Sequence, residues 1–355
     1  MTSKPGESSE PGNVSHTPHR RRFVRTALVF AVMLTLGLTG LVFAVSRGPV
    51  PIPIADVVSV LAAGPSSAEG DDPSARIIWS LRLPRALTAA LVGAMLAVAG
   101  VLLQGVMRNP LAAPNVVGLN AGAGLAATIV LAAFPLASAW LPPAAMAGAI
   151  IATFVVYAIS WEPGTGTSPV RMVLAGVAMT TMLGAVTTTL MLTTDRAAQA
   201  VIGWMAGSLE GTSWPAVRTL APWCLGGAVL SAVLIRGLDA LQLGDEGARS
   251  IGAHAERTRL GAITAAAVLA GAAVSVAGLV GFVGLIVPHI ARMLVGWRHA
   301  AALPVAAVGG ATLVIWADLA AREVFAPQQL PVGVVTSLIG GPYFLFLLYR
   351  VKALR

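Results

Sequence analysis

The chain has 355 residues, of which 56% are apolar and only 11% charged, with a mean hydropathy of +0.81. Soluble globular chains carry about a quarter charged residues, so the bulk of this one belongs in lipid; a soluble enzyme, a nucleic-acid binder and a disulfide-stapled secreted scaffold are excluded. The net charge of +8 is read as topology before it is read as a sign of an acidic partner, because Lys and Arg of a multispanning protein collect in cytoplasmic loops.

Residues 1–22 predict a disordered cytoplasmic tail, too rich in Pro, Ser, Gly and charge to bury a core, and residues 23–355 a single transmembrane domain. A charged residue at mid-bilayer costs about 2.5–3.5 kcal/mol, so charge-free intervals are the candidate spans. They fall at 26–46, 86–107, 109–161, 172–194, 219–235, 260–288, 299–317 and 324–349. A crossing needs about 20 residues, so 109–161 holds two helices with Pro135, Pro142 and Pro143 near their turn. The basic clusters at both chain ends read as cytoplasmic, and two ends on one side require an even number of crossings. The tenth span is a short helix at 285–298 opened by Pro288 and carrying His289 and Arg292. The expected fold class is thus all-α, a polytopic membrane protein of about ten transmembrane helices.

On this map most Lys and Arg lie inside, and Arg47, Arg76, Arg82, Arg85, Arg196, Arg218 and Arg322 are the external exceptions. Ala97-Val98-Ala99-Gly100 before Pro110 and Ser275-Val276-Ala277-Gly278 before Pro288 share a spacing in oppositely directed spans. That pattern suggests two inverted-topology halves, spans two to five and seven to ten. The single Cys224 reads as packing.

The chemistry is notable for what is missing. There is no GxxxxGK[ST] loop, and the two lysines, Lys4 and Lys352, lie near the ends; this polypeptide cannot supply a phosphate-loop lysine. HExxH, CxxC and GxSxG do not occur, and the five histidines lack metal-ligand spacing. Asp318 is the only acid placed clearly within a span, against the ladder of buried carboxylates expected for ion coupling. The energy source is expected elsewhere. The polar stretch 236–259 predicts one or two amphipathic helices at the membrane surface, with Leu241, Leu243 and Ile251 exposed as a docking surface.

Several ordered motifs complete the reading: Arg82-Leu83-Pro84-Arg85, Arg108-Asn109-Pro110-Leu111-Ala112, Leu174-Ala175-Gly176, Trp204 to Leu209 with Trp214, Leu243 to Gly252, Gly281 to Arg292, Asp318 with Arg322, and Gly340-Gly341-Pro342-Tyr343-Phe344. Over about 80–350 the chain resembles the FecCD-type permease subunits of bacterial ABC importers for iron–siderophores, heme and cobalamin. The resemblance implies a permease in the bacterial plasma membrane with both termini cytoplasmic. It also implies a second permease copy or paralogue, two cytoplasmic ABC ATPase subunits that hold ATP and Mg, and an extracytoplasmic substrate-binding protein. No cofactor and no catalytic residue are expected in this chain. Carried over by motif, Arg82 and Arg322 face the binding protein, and Leu243, Gly244, Asp245, Glu246, Ala248, Arg249 and Gly252 couple to the ATPase. Asn109 and Leu111 match a cytoplasmic gate; its second segment departs from the family pattern, with Pro169-Val170 beside the arginine and Thr167-Ser168 two residues earlier. The favoured cargo is a ferric siderophore, with heme or cobalamin as alternatives; an ion-coupled transporter and an intramembrane enzyme using His289 are the readings from other classes.

Overall fold

The structure, a computed structural model, describes residues 17–134, 138–163 and 166–352. Helix α1 (Thr17–Ser46) leads to α2 (Ile54–Ala63) and α3 (Pro73–Ile77), whose N-cap Asp72 accepts from the Ser74 N–H at 2.8 Å. A π-type turn over Ile78–Arg82 joins α3 to α4 (Leu83–Met107), so that 73–107 is one continuous apolar helix. Pro84 has no N–H to give the preceding turn, and the wider turn absorbs that defect. Then follow α5 (Leu119–Ala133), α6 (Leu141–Ser160), a two-residue hairpin β1 (Trp161–Glu162) and β2 (Gly166–Thr167), α7 (Pro169–Thr193) and α8 (Asp195–Met205). The remainder comprises α9 (Trp214–Leu241), α10 (Gly244–Ser250), α11 (Ala255–Ala277), α12 (Val283–Val295), α13 (His299–Glu323) and α14 (Val332–Lys352).

Seven of these helices are long and apolar enough to cross a bilayer. Helices α5, α12 and α14 are the shorter apolar ones that fall where the other expected crossings lie. At 1.5 Å per residue, α5 and α12 span roughly 20–22 Å of an apolar layer about 30 Å thick. Each is preceded by irregular backbone: a 3₁₀ turn at Pro114–Val117 before α5, and Gly278 (φ 67) to Phe282 (φ 64) before α12. Such segments survive at membrane depth only when protein covers them or they line a cavity. Here they face each other, and Pro114, Asn115, Asn120, Val280 and Phe282 line a common cavity of 90 Å³.

Small residues set the packing. Helix α4 is buried almost all round, and a Cβ on Gly93 would stand 2.1 Å from the Gly310 carbonyl of α13, one on Gly100 1.9 Å from the Gly284 carbonyl of α12. Gly122 and Gly148 bring α5 and α6 together in the same way. Lipid supplies no hydrophobic drive between helices, so close backbone approach is what holds them. Helix α7 is the contrast, since Val170, Leu174, Val177, Met182, Val186 and Leu192 are exposed along it.

Several boundaries differ from the sequence reading. Helix α1 begins at Thr17, inside the expected tail, because the arginines at 20–22 are good helix formers and extend the apolar helix; residues 1–16 lie outside the described residues, as does Pro135. Helix α9 continues through Arg236 to Leu241, which buries Leu241, and α11 starts at Ala255, so the expected surface helices over 236–259 reduce to one, α10. The matched Ala97–Gly100 and Ser275–Gly278 segments take different local structures: Gly100 lies inside α4, whereas Gly278 ends α11. The two halves share instead an order of long, short, long, in α4–α6 and in α11–α13.

Candidate functional site

Helix α4 carries a basic motif at each end, Arg82 and Arg85 at one and Arg108 at the other, and the candidate residues gather around these two ends.

At the first end Arg82 is only 7% exposed. Its Nη1 donates to the carbonyls of Val45 at 2.8 Å and Ser46 at 2.9 Å, and its Nη2 to that of Val50. One planar donor thereby gathers three carbonyls of the 45–50 segment where α1 stops. Arg85 forks onto the buried Asp318, with Nη2 to Oδ1 at 2.8 Å, and gives Nη1 to Gln329 at 2.9 Å. Arg322, one turn after Asp318, pairs with it at 3.3 Å without hydrogen-bond alignment and donates to Ala44 O at 3.2 Å. One carboxylate thus sits between two guanidiniums. Arg82, Arg85 and Arg322 flank a cavity of 410 Å³ together with Glu210, Thr212 and Gln329. The two arginines expected to meet a binding protein therefore share one cavity, while their side chains are engaged by the chain's own carbonyls.

At the other end α10 is set off by Gly244 (φ 88) and Gly252 (φ 75), conformations L side chains rarely adopt. Leu243 and Ile251 stand exposed at 64% and 61%, and Ala248 is buried beneath them. Glu246 and Arg249 are exposed. Asp245 faces inward, 2.5 Å from Arg259 Nη2 and 3.8 Å from Arg108 Nη2. The hydrogen bond from Arg259 holds its carboxyl below the usual carboxylate range, helped by Arg108 and Arg249 and opposed by partial burial.

Arg259, with its side chain 3% exposed, is the hub. Its Nη1 lies 3.3 Å from Glu256 Oε2. Glu256 in turn accepts from the Tyr157 hydroxyl at 2.6 Å, the Thr167 hydroxyl at 2.5 Å and the Thr167 N–H at 3.2 Å. A chain of charged contacts, Arg108–Asp245–Arg259–Glu256, therefore joins the end of α4 to the hairpin before α7 by way of α10.

The candidate gate residues sit at the two ends of this chain. Asn109 follows Arg108, which has a left-handed φ of 48, and its Oδ1 accepts from the Leu111 N–H at 2.9 Å, closing a tight turn. Pro110 and Leu111 meet Leu285 and His289 of α12 and Tyr343 and Phe344 of α14 around a pocket of 10 Å³. Thr167 is 3% exposed and its hydroxyl is spent on Glu256. Ser168 precedes α7, and its N–H donates to Ser160 O at 3.3 Å. Thr167 and Ser168 are thus a fixed joint, the first held through its hydroxyl and the second through its backbone.

Residue-level reading missed Tyr157, Glu256 and Arg259, because Arg257 and Arg259 look alike as loop cations and only their helix faces separate them. It also missed a second buried cluster. His299 Nδ1 is 2.7 Å from Asp239 Oδ1, its backbone N–H donates to the same oxygen at 3.0 Å, and Arg292 Nη2 lies 3.3 Å from its Nε2. Arg292 also donates to Val101 O at 3.0 Å. This cluster ties α9, just before α10, to α12 and α13. His289 stands apart from it, beside Tyr343 with ring centroids 6.4 Å apart.

Comparison with known proteins places this geometry. The model of the FecCD transport family matches residues 28–350. The chain is 38% identical over 339 residues to the Fe(3+)-citrate import system permease protein YfmD of Bacillus subtilis, covering 95% of this chain and 98% of that protein. It is 40% identical to the cobalamin import system permease protein BtuC of Halobacterium salinarum, over 77% of this chain and 73% of the other. The hemin transport system permease protein HmuU of Yersinia pestis is 39% identical, over 78% and 85%. A solved structure described as an inward-facing conformation of a metal-chelate type ABC transporter superposes with a TM-score of 0.79 at 26% identity, over 91% of this chain and 99% of that one. The sequence match over nearly the whole length and the shared helical architecture agree: this multi-pass membrane protein belongs to the FecCD transport family.

Proposed function

We propose that the chain is the transmembrane permease of an ATP-driven importer that carries a ferric siderophore or similar iron chelate into the cytoplasm, without covalent chemistry of its own. The observation that carries the reading is α10: a surface helix with exposed Leu243 and Ile251, anchored by Asp245 to the buried Arg259 and through it to both candidate gate segments. Such a part receives force from a partner and passes it inward. The partner is a pair of cytoplasmic ABC ATPase subunits holding ATP and Mg, since the chain has only two lysines and no phosphate loop.

In this reading both termini are cytoplasmic, α10 seats in the ATPase, and the cavity flanked by Arg82 and Arg322 receives the substrate-binding protein. A second permease copy or a paralogue covers the exposed face of α7 and completes the path. Iron chelates are favoured because relatives named for Fe(3+)-citrate and iron(3+)-hydroxamate import are among the most similar ones, 38% and 41% identical. Hemin and cobalamin permeases at 39% and 40% identity support the second reading, a heme or cobalamin cargo.

The test is uptake into proteoliposomes holding the permease with its ATPase and binding protein, offered a ferric siderophore, heme or cobalamin. ATP-dependent uptake of the ferric siderophore is expected. Uptake driven by an ion gradient without the ATPase would overturn the reading, and ATP-driven uptake of heme or cobalamin alone would move the cargo to the second reading.

A further inference from the structure

Where α9 ends and α11 begins, a second basic cavity faces outward from the bundle. It measures 440 Å³ and is lined by Arg236, His254, Arg257 and Thr258 together with apolar Leu234 and Ile251. Its ten lining residues include no acid. Among the described residues the side chains of Arg236, His254 and Arg257 have no hydrogen bond or ion pair. Charged side chains around a concave site ordinarily find an internal counter-charge, as Arg108, Arg259 and Arg85 do here; these three do not.

The floor of the cavity is rigid. A Cβ on Gly237 would lie 2.4 Å from the Thr258 hydroxyl, and one on Gly261 3.0 Å from Leu234, so α9 and α11 cross at van der Waals contact beneath it. Below the cations the same two helices turn apolar side chains outward. On α9, Leu225, Val229 and Val233 are exposed at 68%, 57% and 74%, four residues apart, and the stripe ends at Arg236. On α11, Leu260 is exposed one turn after Arg257. An exposed apolar stripe on a bilayer-crossing helix is the lipid-facing surface, and the level at which it ends in arginine is the headgroup level. Basic pockets between spans at that level suit anionic headgroups.

We propose that the cavity between the ends of α9 and α11 binds the headgroup of an anionic phospholipid, its phosphate held by Arg236 and Arg257 with His254 at the rim and its acyl chains lying along the Val229–Val233 and Leu260 surfaces. Guanidiniums match a phosphate by paired hydrogen bonds, and the apolar stripe receives the chains, which a free phosphate does not have. The site touches the coupling element, because Ile251 and Gly252, which end α10, form one of its walls. A bound headgroup neutralises the cations next to that turn and steadies it.

The test uses the purified full-length permease and native mass spectrometry with phosphatidylglycerol, phosphatidylcholine of the same acyl chains, or inorganic phosphate. Because Arg236 and Arg257 are exposed and free of internal partners, Arg236→Gln with Arg257→Gln leaves the fold intact. The wild-type chain is expected to retain phosphatidylglycerol over phosphatidylcholine, and the double variant to lose retention about thirty-fold, the ratio for two cations worth about 1 kcal/mol each at an anionic surface. Arg249→Gln, a control that removes one exposed cation outside this cavity, is expected to change retention little. Equal retention of the two lipids, or no loss in the double variant, overturns the proposal. Displacement of phosphatidylglycerol by millimolar inorganic phosphate assigns the site to free phosphate and also overturns it. So does a double variant that keeps its lipid but loses the ATPase, which makes the cavity a protein contact.

Discussion

Replacing Glu256 by Gln keeps the shape of the hub's acid and removes its charge. The carboxylate accepts four hydrogen bonds, from Tyr157, from the hydroxyl and N–H of Thr167 and from Arg259, at 2.5–3.3 Å. A Gln amide can keep its oxygen on the Arg259 and Thr167 N–H pair and donate its NH₂ to the Tyr157 and Thr167 hydroxyls, which also accept, but every one of the four contacts then loses its charged acceptor. Bonds to a charged acceptor contribute about 1.5–3 kcal/mol each, against about 0.5–1.5 kcal/mol for neutral ones. The Glu256 side chain is 35% exposed, so water makes good part of the loss, and a net cost of about 2 kcal/mol is the reasonable figure. That cost falls on the joint between the hairpin and α11. Hydrogen exchange at the Thr167 amide, whose acceptor is this carboxylate, should therefore speed up about thirty-fold. In proteoliposomes the same variant should hydrolyse ATP while moving less cargo per ATP, because α10 no longer positions the segment that leads into α7. Unchanged exchange at Thr167 together with an unchanged transport-to-hydrolysis ratio would refute the coupling role of this network.

Three further outcomes follow from the same geometry. Asp318→Asn leaves Arg85 and Arg322 facing each other with side chains 14% and 9% exposed, and by the cost of breaking a buried pair it should lower stability by about 3–5 kcal/mol; an unaltered thermal midpoint in detergent would contradict this. Gly100→Ala sets a methyl 1.9 Å from the Gly284 carbonyl and should sharply reduce the yield of folded protein, whereas Gly226→Ala, with nothing within 4 Å, should fold as well as the parent; similar losses in both would sink the packing argument. Asp245 has a lowered folded pKa, so its contribution is complete above the unfolded value of about 3.9 and is lost as pH falls through the folded pKa. Exchange protection in α10 should thus be flat from about pH 6 to 8 and fail only below about pH 4, and a transition near pH 6 would count against it.

Much of the architecture was legible because lipid punishes charge so strongly. The gaps between charges, with helix length, predict the helices seen as α1, α4–α7, α9, α11, α13 and α14, and the even number of crossings calls for α12; the two short ones, α5 and α12, are hardest to bound because the chain runs apolar straight through their irregular starts. At 278–282 hydropathy stays high while Gly278 and Phe282 take positive φ, and a break of that kind carries no charge to mark it. The polar stretch 236–259 misled in the opposite sense. Its charges suggest separate surface helices throughout, yet Arg236 to Leu241 finish α9 and Glu256 to Arg259 lie in the first turn of α11, since the last turn of a spanning helix can leave the bilayer without ceasing to be a helix. What a linear reading could not supply was direction: Arg257 and Arg259 are two residues apart and point to opposite fates, one to open solvent and one to the centre of an ion-pair chain.

The arginines of the proposed docking cavity show the same limit with a functional consequence. Position alone made Arg82 and Arg322 external cations available to an acidic partner, but Arg82 is held by three carbonyls of 45–50 and Arg322 by Asp318 and Ala44. Their tips are therefore not free to extend into a rim salt bridge. A partner carboxylate would have to enter the 410 Å³ cavity and meet guanidiniums that are already oriented. The two modes separate kinetically. Rim charges that steer encounter govern the association rate and its salt dependence, whereas an inserted, desolvated charge governs dissociation. Arg322→Glu, which turns the side chain next to Asp318 into a second acid, should therefore shorten the life of the complex with the binding protein more than it slows its formation. An effect confined to the association rate, and abolished by salt, would show that the cavity is not entered and that the arginines act only through their field.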